Sequence, residues 1–403
     1  MTQEIYDRER GLARIKVLIS EMRKRVCRPL IIGVAGGSGS GKTSKVAKGI
    51  QRFFPGSRVI HMDDYFRGMK FMQSIGSNNW DEPRAIELDL LKQQLKELKA
   101  GKSVQRPRYS FRKGERIGYK DYKPADIIIV EGLFALYEDI SKELDLKVFV
   151  EISVHGSLIR RLLRDVGRTG QTESDIFKQY VETVYPMYKL HIEPTKAKAD
   201  IIIINYLTET ELEIYESTEI QIKAALKQAI PQRKIESLGF RKIKSIRQED
   251  TYYTAPNWKI SNGDELMRIR KEGKRYFIAY KGLLVNGVLK IKPKIEFEVE
   301  PSLKDGLERL GYKKALFIEK QREVLIGEGI ELVIDAIKGH GCFLEFRTVD
   351  PKKETRIIEY LKKLGVDKKS ITKKSYLEIL LKPRASKGPF YFLYLSKLKK
   401  SFT

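Results

Sequence analysis

Two textures of apolar and polar positions divide the chain. Up to about residue 206, short runs that are apolar nearly throughout alternate with stretches of helical period. Pro29–Ile32, Ser57–Met62, Ala125–Gly132, Leu146–Glu151 and Ala199–Ile204 read as strands, and Ile86–Lys99 reads as an amphipathic helix. A continuously apolar run suits a strand buried on both faces of a parallel sheet. Beyond residue 218 the period falls to two. Glu219–Lys223, Glu265–Arg270, Tyr276–Lys281, Lys294–Glu300, Ala315–Arg322, Gly329–Asp335 and Cys342–Arg347 alternate apolar residues with charges of both signs. That pattern predicts antiparallel strands with one apolar and one charged face. Two outcomes stay open for the charges: an open sheet showing them to solvent, or a closed barrel turning them inward.

These textures set the expected organisation. Residues 1–27 form a leader helix, with Ile5, Leu12, Ile15, Val17, Leu18 and Met22 on its apolar face. Residues 28–207 form an α/β domain, and the polar, acidic stretch 208–217 is a linker. Residues 218–384 form the strand-rich domain, and 385–403 an apolar, then basic tail. A length of 403 residues fits two domains, and 41% hydrophobic residues suffice for two cores. No run approaches the roughly 20 apolar residues of a membrane span. The two cysteines, Cys27 and Cys342, indicate neither a disulfide framework nor a thiolate metal site, so a cytoplasmic location is expected.

The net charge of +25 admits nucleic acid as a partner. No helix-turn-helix, zinc-finger or RNP-like signature accompanies it. Pockets for small polyphosphates are the preferred explanation of the charge.

The most specific chemistry lies in Gly36-Gly37-Ser38-Gly39-Ser40-Gly41-Lys42-Thr43-Ser44, which fits the phosphate-loop pattern G-x-x-x-x-G-K-[ST] between a strand and a helix. Glycines let backbone N–H groups converge on phosphate oxygens, and the following helix turns its positive end to the same anion. Lys42 would reach the β/γ-phosphates and Thr43 would ligate Mg²⁺. Asp63 and Asp64 follow the second strand, and Glu131 ends another in the manner of a Walker-B acid. Both places are where α/β sheets put ligands. Pro107–Arg116 reads as an aromatic and basic loop. Arg160, Arg161, Arg164 and Arg168 lie on a helical stretch from which they would close over phosphates.

In this order the motifs resemble the uridine kinase/phosphoribulokinase family of phosphate-loop kinases. The matching segments are the phosphate loop, Asp63-Asp64-Tyr65-Phe66, Asn79-Trp80-Asp81-Glu82-Pro83, Pro107-x-Tyr109-x-Phe111-(x4)-Arg116, Glu131-Gly132, Arg161-x-x-Arg164-Asp165, Gln179-Tyr180 and Pro186-Met187. The resemblance implies Mg²⁺-ATP as phosphoryl donor, with Mn²⁺ as a substitute metal, and a small hydroxylated acceptor. It makes Asp63 the general base, with Lys42, Arg161 and Arg164 around the phosphates. Asp81, Tyr109, Phe111, Arg116 and Gln179 become the acceptor site. Two departures bear on the acceptor: Gly114 stands where uridine-phosphorylating members carry His, and Thr169-Gly170-Gln171 replaces an R-G-R lid motif.

The second half resembles the CYTH family of triphosphate tunnel metalloenzymes. The markers are Glu219-x-Gln221-x-Lys223, Gln248-x-Asp250-Thr251-Tyr252, Leu266-x-Arg268-Ile269-Arg270, Lys281-Gly282, Glu296-x-Glu298, Lys320-x-Arg322, Asp335, Glu345-x-Arg347 and Ser375-Tyr376. The resemblance implies a closed antiparallel barrel. Lys223, Arg268, Arg270, Lys281, Lys320 and Arg322 would bind a triphosphate, and Glu219, Glu296, Glu298, Asp335 and Glu345 would serve metals. Gln221 and Arg347 replace acids of the family pattern. The expected activity is ATP-dependent phosphorylation of a small-molecule hydroxyl. The alternatives are metal-dependent hydrolysis of a triphosphate or pyrophosphate in the barrel, and a barrel that senses polyphosphate for regulation.

Overall fold

The structure, a computed structural model, describes residues 3–206, 220–256, 266–281, 294–372 and 376–380. The linker 208–217 and the tail 385–403 lie outside them. The chain forms two compact units, Met1–Leu207 and Thr208–Thr403. Among the described residues no helix is long and apolar enough to cross a membrane.

In the first unit the strands are β1 (Glu4–Asp7), β2 (Leu30–Gly36), β3 (Arg58–His61), β4 (Val104–Ser110), β5 (Glu115–Tyr122), β6 (Ile127–Gly132), β7 (Leu146–Glu151) and β8 (Ile201–Ile204). Six of them form a parallel sheet in the order β1-β8-β7-β2-β6-β3. Alternate side chains of the apolar runs enter two separate cores. Ile31, Ala35, Ile128, Val130 and Phe149 enter one, and Ile32, Val34, Ile129, Val148 and Val150 enter the other. Helices cover both faces, which explains why these strands show no polar alternation.

Two expectations need correction. The leader is not helical from residue 5: Glu4–Asp7 pairs in parallel with Ile201–Ile204, and the helix runs Arg8–Arg25. Asp7 accepts from the Arg10 N–H and caps that helix, so strand and helix meet at one residue. The aromatic and basic segment at Pro107–Arg116 is loop only over residues 111–114, the turn of the antiparallel hairpin β4–β5, and its flanks belong to the two strands. Its register shifts between Pro107 and Tyr109, next to a residue with no N–H to give.

The second unit is an antiparallel sheet. Its strands are β9 (Ile220–Leu226), β10 (Arg241–Thr254), β11 (Leu266–Glu272), β12 (Arg275–Lys281), β13 (Lys294–Val299), β14 (Lys313–Gly327), β15 (Ile330–Ile337), β16 (Gly341–Thr348) and the short β17 (Ile371–Thr372). They are ordered β13-β12-β11-β10-β14-β15-β16-β9-β17. On one side, Phe240, Leu332, Leu344 and Phe346 pack against Ile357, Tyr360, Leu361 and Leu364 of the helix Glu354–Leu364. Among the described residues no pairing joins the end strands β13 and β17.

Candidate functional sites in the two units

The phosphate loop leaves the sheet where β2 ends and turns into a helical segment at Lys42, with Lys45 N–H donating to the Gly41 carbonyl at 2.9 Å. The loop's own carbonyls are tied from outside. Ser157 Oγ donates to Ser38 O at 2.7 Å, Arg160 Nη1 to Gly39 O at 3.1 Å, and Asn205 Nδ2 to Ser40 O at 2.6 Å. These bonds fix the peptide planes on which anion recognition by backbone N–H groups depends. Gly41 sits at φ 83°, where a Cβ would lie 2.4 Å from Asn205 Nδ2. Gly41→Ala is therefore expected to cost more than about 1 kcal/mol of stability and to weaken ATP binding. Thermal denaturation and nucleotide titration check both.

Thr43 Oγ1 donates to Glu131 Oε2 at 2.7 Å, and His61 Nδ1 lies 2.6 Å from Glu131 Oε1. Burial pushes the Glu131 carboxyl up, but His61, Lys42 and Thr43 outweigh it and hold the pKa below the usual value. His61, conversely, is raised, chiefly by its bond to Glu131. Asp63 stands two residues past the end of β3, in the turn Met62–Tyr65. It is open to solvent yet closely surrounded by protein, and that enclosure raises its pKa against the pull of Lys42, with Glu131 adding to the rise. Asp81 is raised by the same kind of enclosure, against Arg161, Lys42 and Arg164. Lys42 thus faces all three carboxylates. Its ammonium lies 3.4 Å from Gly37 O.

The predicted arginines differ in placement. Arg161 is buried and touches the loop itself, with Nη1 donating to Ser38 Oγ at 2.8 Å and Nη2 to Gln179 Oε1 at 2.9 Å. Arg164 is half exposed and paired with Asp165 at 2.6 Å. The Arg168 side chain lies outside the described residues. Tyr109 and Phe111 join Phe66 and Trp80 in an aromatic cluster, with ring centroids 5.4 Å apart for Phe66–Trp80 and Phe66–Tyr109 and 5.3 Å for Tyr109–Phe111. Arg116 is taken by Glu87 at 2.7 Å. Gly114 has φ 66°, and a Cβ there would come within 3.1 Å of the Met69 methyl, so this hairpin is shaped for glycine at that point.

In the second unit, cross-strand register gathers the predicted charges on one face. Asp250 stands opposite Arg270, Gln248 opposite Lys320, Arg322 opposite Asp335, and Glu345 opposite Lys223. All are buried. Arg270 grips Asp250 through two bonds of 2.7 and 2.9 Å, and Arg322 grips Asp335 through two of 2.7 and 2.5 Å. Lys320 lies between these carboxylates, 3.0 Å from Asp250 and 3.6 Å from Asp335. Among the described residues its ammonium makes no aligned hydrogen bond. Burial, with Arg322 beside it, lowers the Lys320 pKa to about 7. Tyr376 donates to Asp335 at 2.7 Å and offers its ring face to Lys223 and Lys320 at 4.3 and 5.1 Å. Arg268 reaches Glu296 at 3.0 Å. Glu298 lies apart from this group, exposed and paired with Arg275. Glu219 and the Lys281 side chain fall outside the described residues.

The family profile described as Phosphoribulokinase / Uridine kinase matches residues 31–212, and the CYTH domain profile matches residues 217–376. A Dictyostelium discoideum protein named Uridine-cytidine kinase C is 30% identical over 397 residues, covering 96% of this chain and 83% of its own length. The chain belongs to the proteins that join a phosphoribulokinase/uridine kinase domain to a CYTH domain. The Inorganic pyrophosphatase TTM2 of Arabidopsis thaliana is 34% identical over 320 residues, or 76% of this chain, which spans 45% of the plant protein. A Uridine kinase of Streptococcus equi subsp. zooepidemicus is 40% identical over 183 residues, 44% of this chain and 87% of its own.

The two domains differ in their fitness for a divalent ion. In the kinase domain, Thr43 and Glu131 pair a hydroxyl with a carboxylate beside the phosphate loop. That set suits Mg²⁺, which keeps most of its waters and takes its other ligands from phosphates. In the CYTH domain, both oxygens of Asp250 and of Asp335 already face protein cations. Among the described residues no three acidic, His or Cys side chains converge as a metal cage. Residues whose roles sequence reasoning missed are Ser157, Arg160 and Asn205, which strap the loop, and His61, which holds Glu131. Phe66 and Trp80, recognised as motif members, were not expected in the aromatic cluster.

Proposed function

We propose that the kinase domain transfers the γ-phosphoryl group of Mg²⁺-ATP to a hydroxyl of a small molecule carrying a planar ring, such as a nucleoside. The observation that carries this is the convergence of Asp63, Lys42 and the Thr43–Glu131 pair at one end of the parallel sheet. Asp63 takes the proton of the acceptor hydroxyl as its oxygen attacks the γ-phosphorus, and ADP leaves. Its raised pKa strengthens it as a base. Lys42 neutralises the phosphates, and Arg161, braced by Gln179, holds Ser38 of the loop. Mg²⁺ (or Mn²⁺) at Thr43 and Glu131 would supply charge neutralisation across the β- and γ-phosphates. The aromatic cluster of Phe66, Trp80, Tyr109 and Phe111 supplies faces for the acceptor ring, with Asp81 near its sugar. The relatives named as uridine kinases support a nucleoside, while Gly114 leaves the base without an imidazole partner.

The CYTH domain, in the same proposal, curls its charged face into a tunnel that binds a phosphate chain through Lys223, Arg268, Arg270, Lys281, Lys320 and Arg322. Hydrolysis of pyrophosphate there is the second reading, favoured by the Arabidopsis relative's name. Acceptor-dependent ADP formation tests the first assignment: Lys42→Ala is expected to lower it at least about 100-fold, because the lysine meets charge that grows in transfer. Undiminished turnover in that variant would remove the phosphate loop from the reaction. For the tunnel, Arg322→Gln is expected to weaken tripolyphosphate binding at least about tenfold, equivalent to losing one charge-assisted contact.

A further inference from the structure

We infer that the charged face of the CYTH domain is a metal-independent receptor for a phosphate chain, in which Arg347 and its neighbouring cations take the places that divalent ions would otherwise fill. This rests on the reading above that the domain binds such a chain.

The first support is the state of the carboxylates. Glu345 Oε1 accepts from Arg347 Nε at 3.0 Å, while Oε2 lies 3.8 Å from the Lys223 ammonium. Arg347 also reaches Glu331 at 3.1 Å, so its guanidinium spans two acids. Asp335 is occupied by Arg322, Lys320 and Tyr376, Asp250 by Arg270 and Lys320, and Glu296 by Arg268 and Arg270. Among the described residues, a divalent ion could reach Asp250, Asp335 or Glu345 only by displacing a guanidinium from a buried carboxylate, leaving a buried cation uncompensated.

The second support is the set of guanidiniums that stay charged at any working pH: among the described residues of this face these are Arg268, Arg270, Arg322 and Arg347. The carboxylates fix the planar forks of the arginines, and a fixed fork recognises phosphate oxygens in two-pronged fashion. The third support is Lys320. Its ammonium is buried and ion-paired with Asp250 and Asp335, and among the described residues it makes no aligned hydrogen bond, which leaves N–H directions for an anion. The ligand class is a di- or triphosphate chain, whether inorganic or carried by a nucleoside.

The test is calorimetric titration of the full chain carrying Lys42→Ala, which silences the phosphate loop, with tripolyphosphate and separately with ATP, in EDTA and in Mg²⁺. The expected result is binding of tripolyphosphate in EDTA, with an affinity within about tenfold of the Mg²⁺ value. ATP binding under the same conditions would extend the ligand to nucleotides, and rejection of ATP would restrict it to the inorganic chain; both agree with a metal-independent receptor. Adding Arg347→Glu is expected to weaken binding in EDTA at least about tenfold and to make it depend on Mg²⁺. Binding by the Lys42→Ala protein only in Mg²⁺ overturns the metal-independent receptor but leaves the anion site standing. Binding in neither condition overturns both readings. Unchanged EDTA binding in a folded Arg347→Glu protein, checked by circular dichroism, removes Arg347 from the receptor.

Discussion

Asp63→Asn lowers kcat for acceptor phosphorylation by about 10²–10⁴-fold, the contribution of a positioned general base, and leaves Mg²⁺-ATP affinity within about threefold. The amide keeps the shape of the carboxyl but cannot take the acceptor's proton. Asp63 does not belong to the loop that grips the phosphates, so the loss falls on kcat and not on nucleotide binding. The sign of the pH dependence follows from the enclosed setting of Asp63. Enclosure favours the neutral acid and raises its pKa, even with Lys42 and His61 pulling the other way. A base must be ionised to act, so the acidic limb of the wild-type kcat/KM profile falls at a higher pH than for an ordinary carboxylate. Steady-state kinetics across pH, wild type against variant, reads both effects. An Asp63→Asn enzyme with wild-type kcat would assign the proton transfer elsewhere.

Asp335→Ala destabilises the CYTH domain by about 3–5 kcal/mol, the cost of removing one partner from a buried ion pair. Both of its oxygens are engaged, and its removal strands Arg322 and leaves Lys320 with Asp250 alone. The charge also makes stability depend on acid. Burial pushes the Asp335 carboxyl up, but Lys320 and Arg322 overcome it and hold the pKa at about 2, below the ordinary 3.8. A depressed carboxylate contributes its full stabilisation above the unfolded-state value. That contribution drains away as pH falls from about 4 towards 2. Urea unfolding at pH 7 and at pH 3 is therefore expected to show a smaller difference between wild type and Asp335→Ala at the lower pH. A variant as stable as wild type at pH 7 would mean that the network carries no structural weight.

The phosphate loop and the charged strands were legible because each is a local pattern. Gly36–Thr43 states its chemistry in eight consecutive residues, and the two-residue period of segments such as Lys320-x-Arg322 places both cations on one face whatever the strand order. What stayed hidden depends on partners distant in sequence. Nothing in Glu4-Ile5-Tyr6-Asp7 announces a strand until Ile201–Ile204 offers an unpaired edge. Asn205 reads as an ordinary residue after an apolar run, and only the fold brings it 2.6 Å from Ser40 O. The hairpin at Val104–Tyr122 hides behind its Pro, Gly and charges, which locally resemble a loop. In the CYTH domain the residue types of Glu345 and Arg347 were plain, but their mutual bond was not. Spacing by two implies a shared face, not whether neighbours contact a ligand or each other. Glu298 shows the same limit, since it shares its strand's pattern with Glu296 but pairs with Arg275 in solvent.

Phosphoryl transfer by the kinase domain is tested most directly by phosphorus NMR of the purified protein with Mg²⁺-ATP, first alone and then with a panel of nucleosides and sugars. Without an acceptor, ATP turnover is expected to be slow. With a ring-bearing acceptor, a phosphomonoester resonance grows in step with ADP. Release of orthophosphate or pyrophosphate at the same rate with and without every acceptor would contradict that transfer.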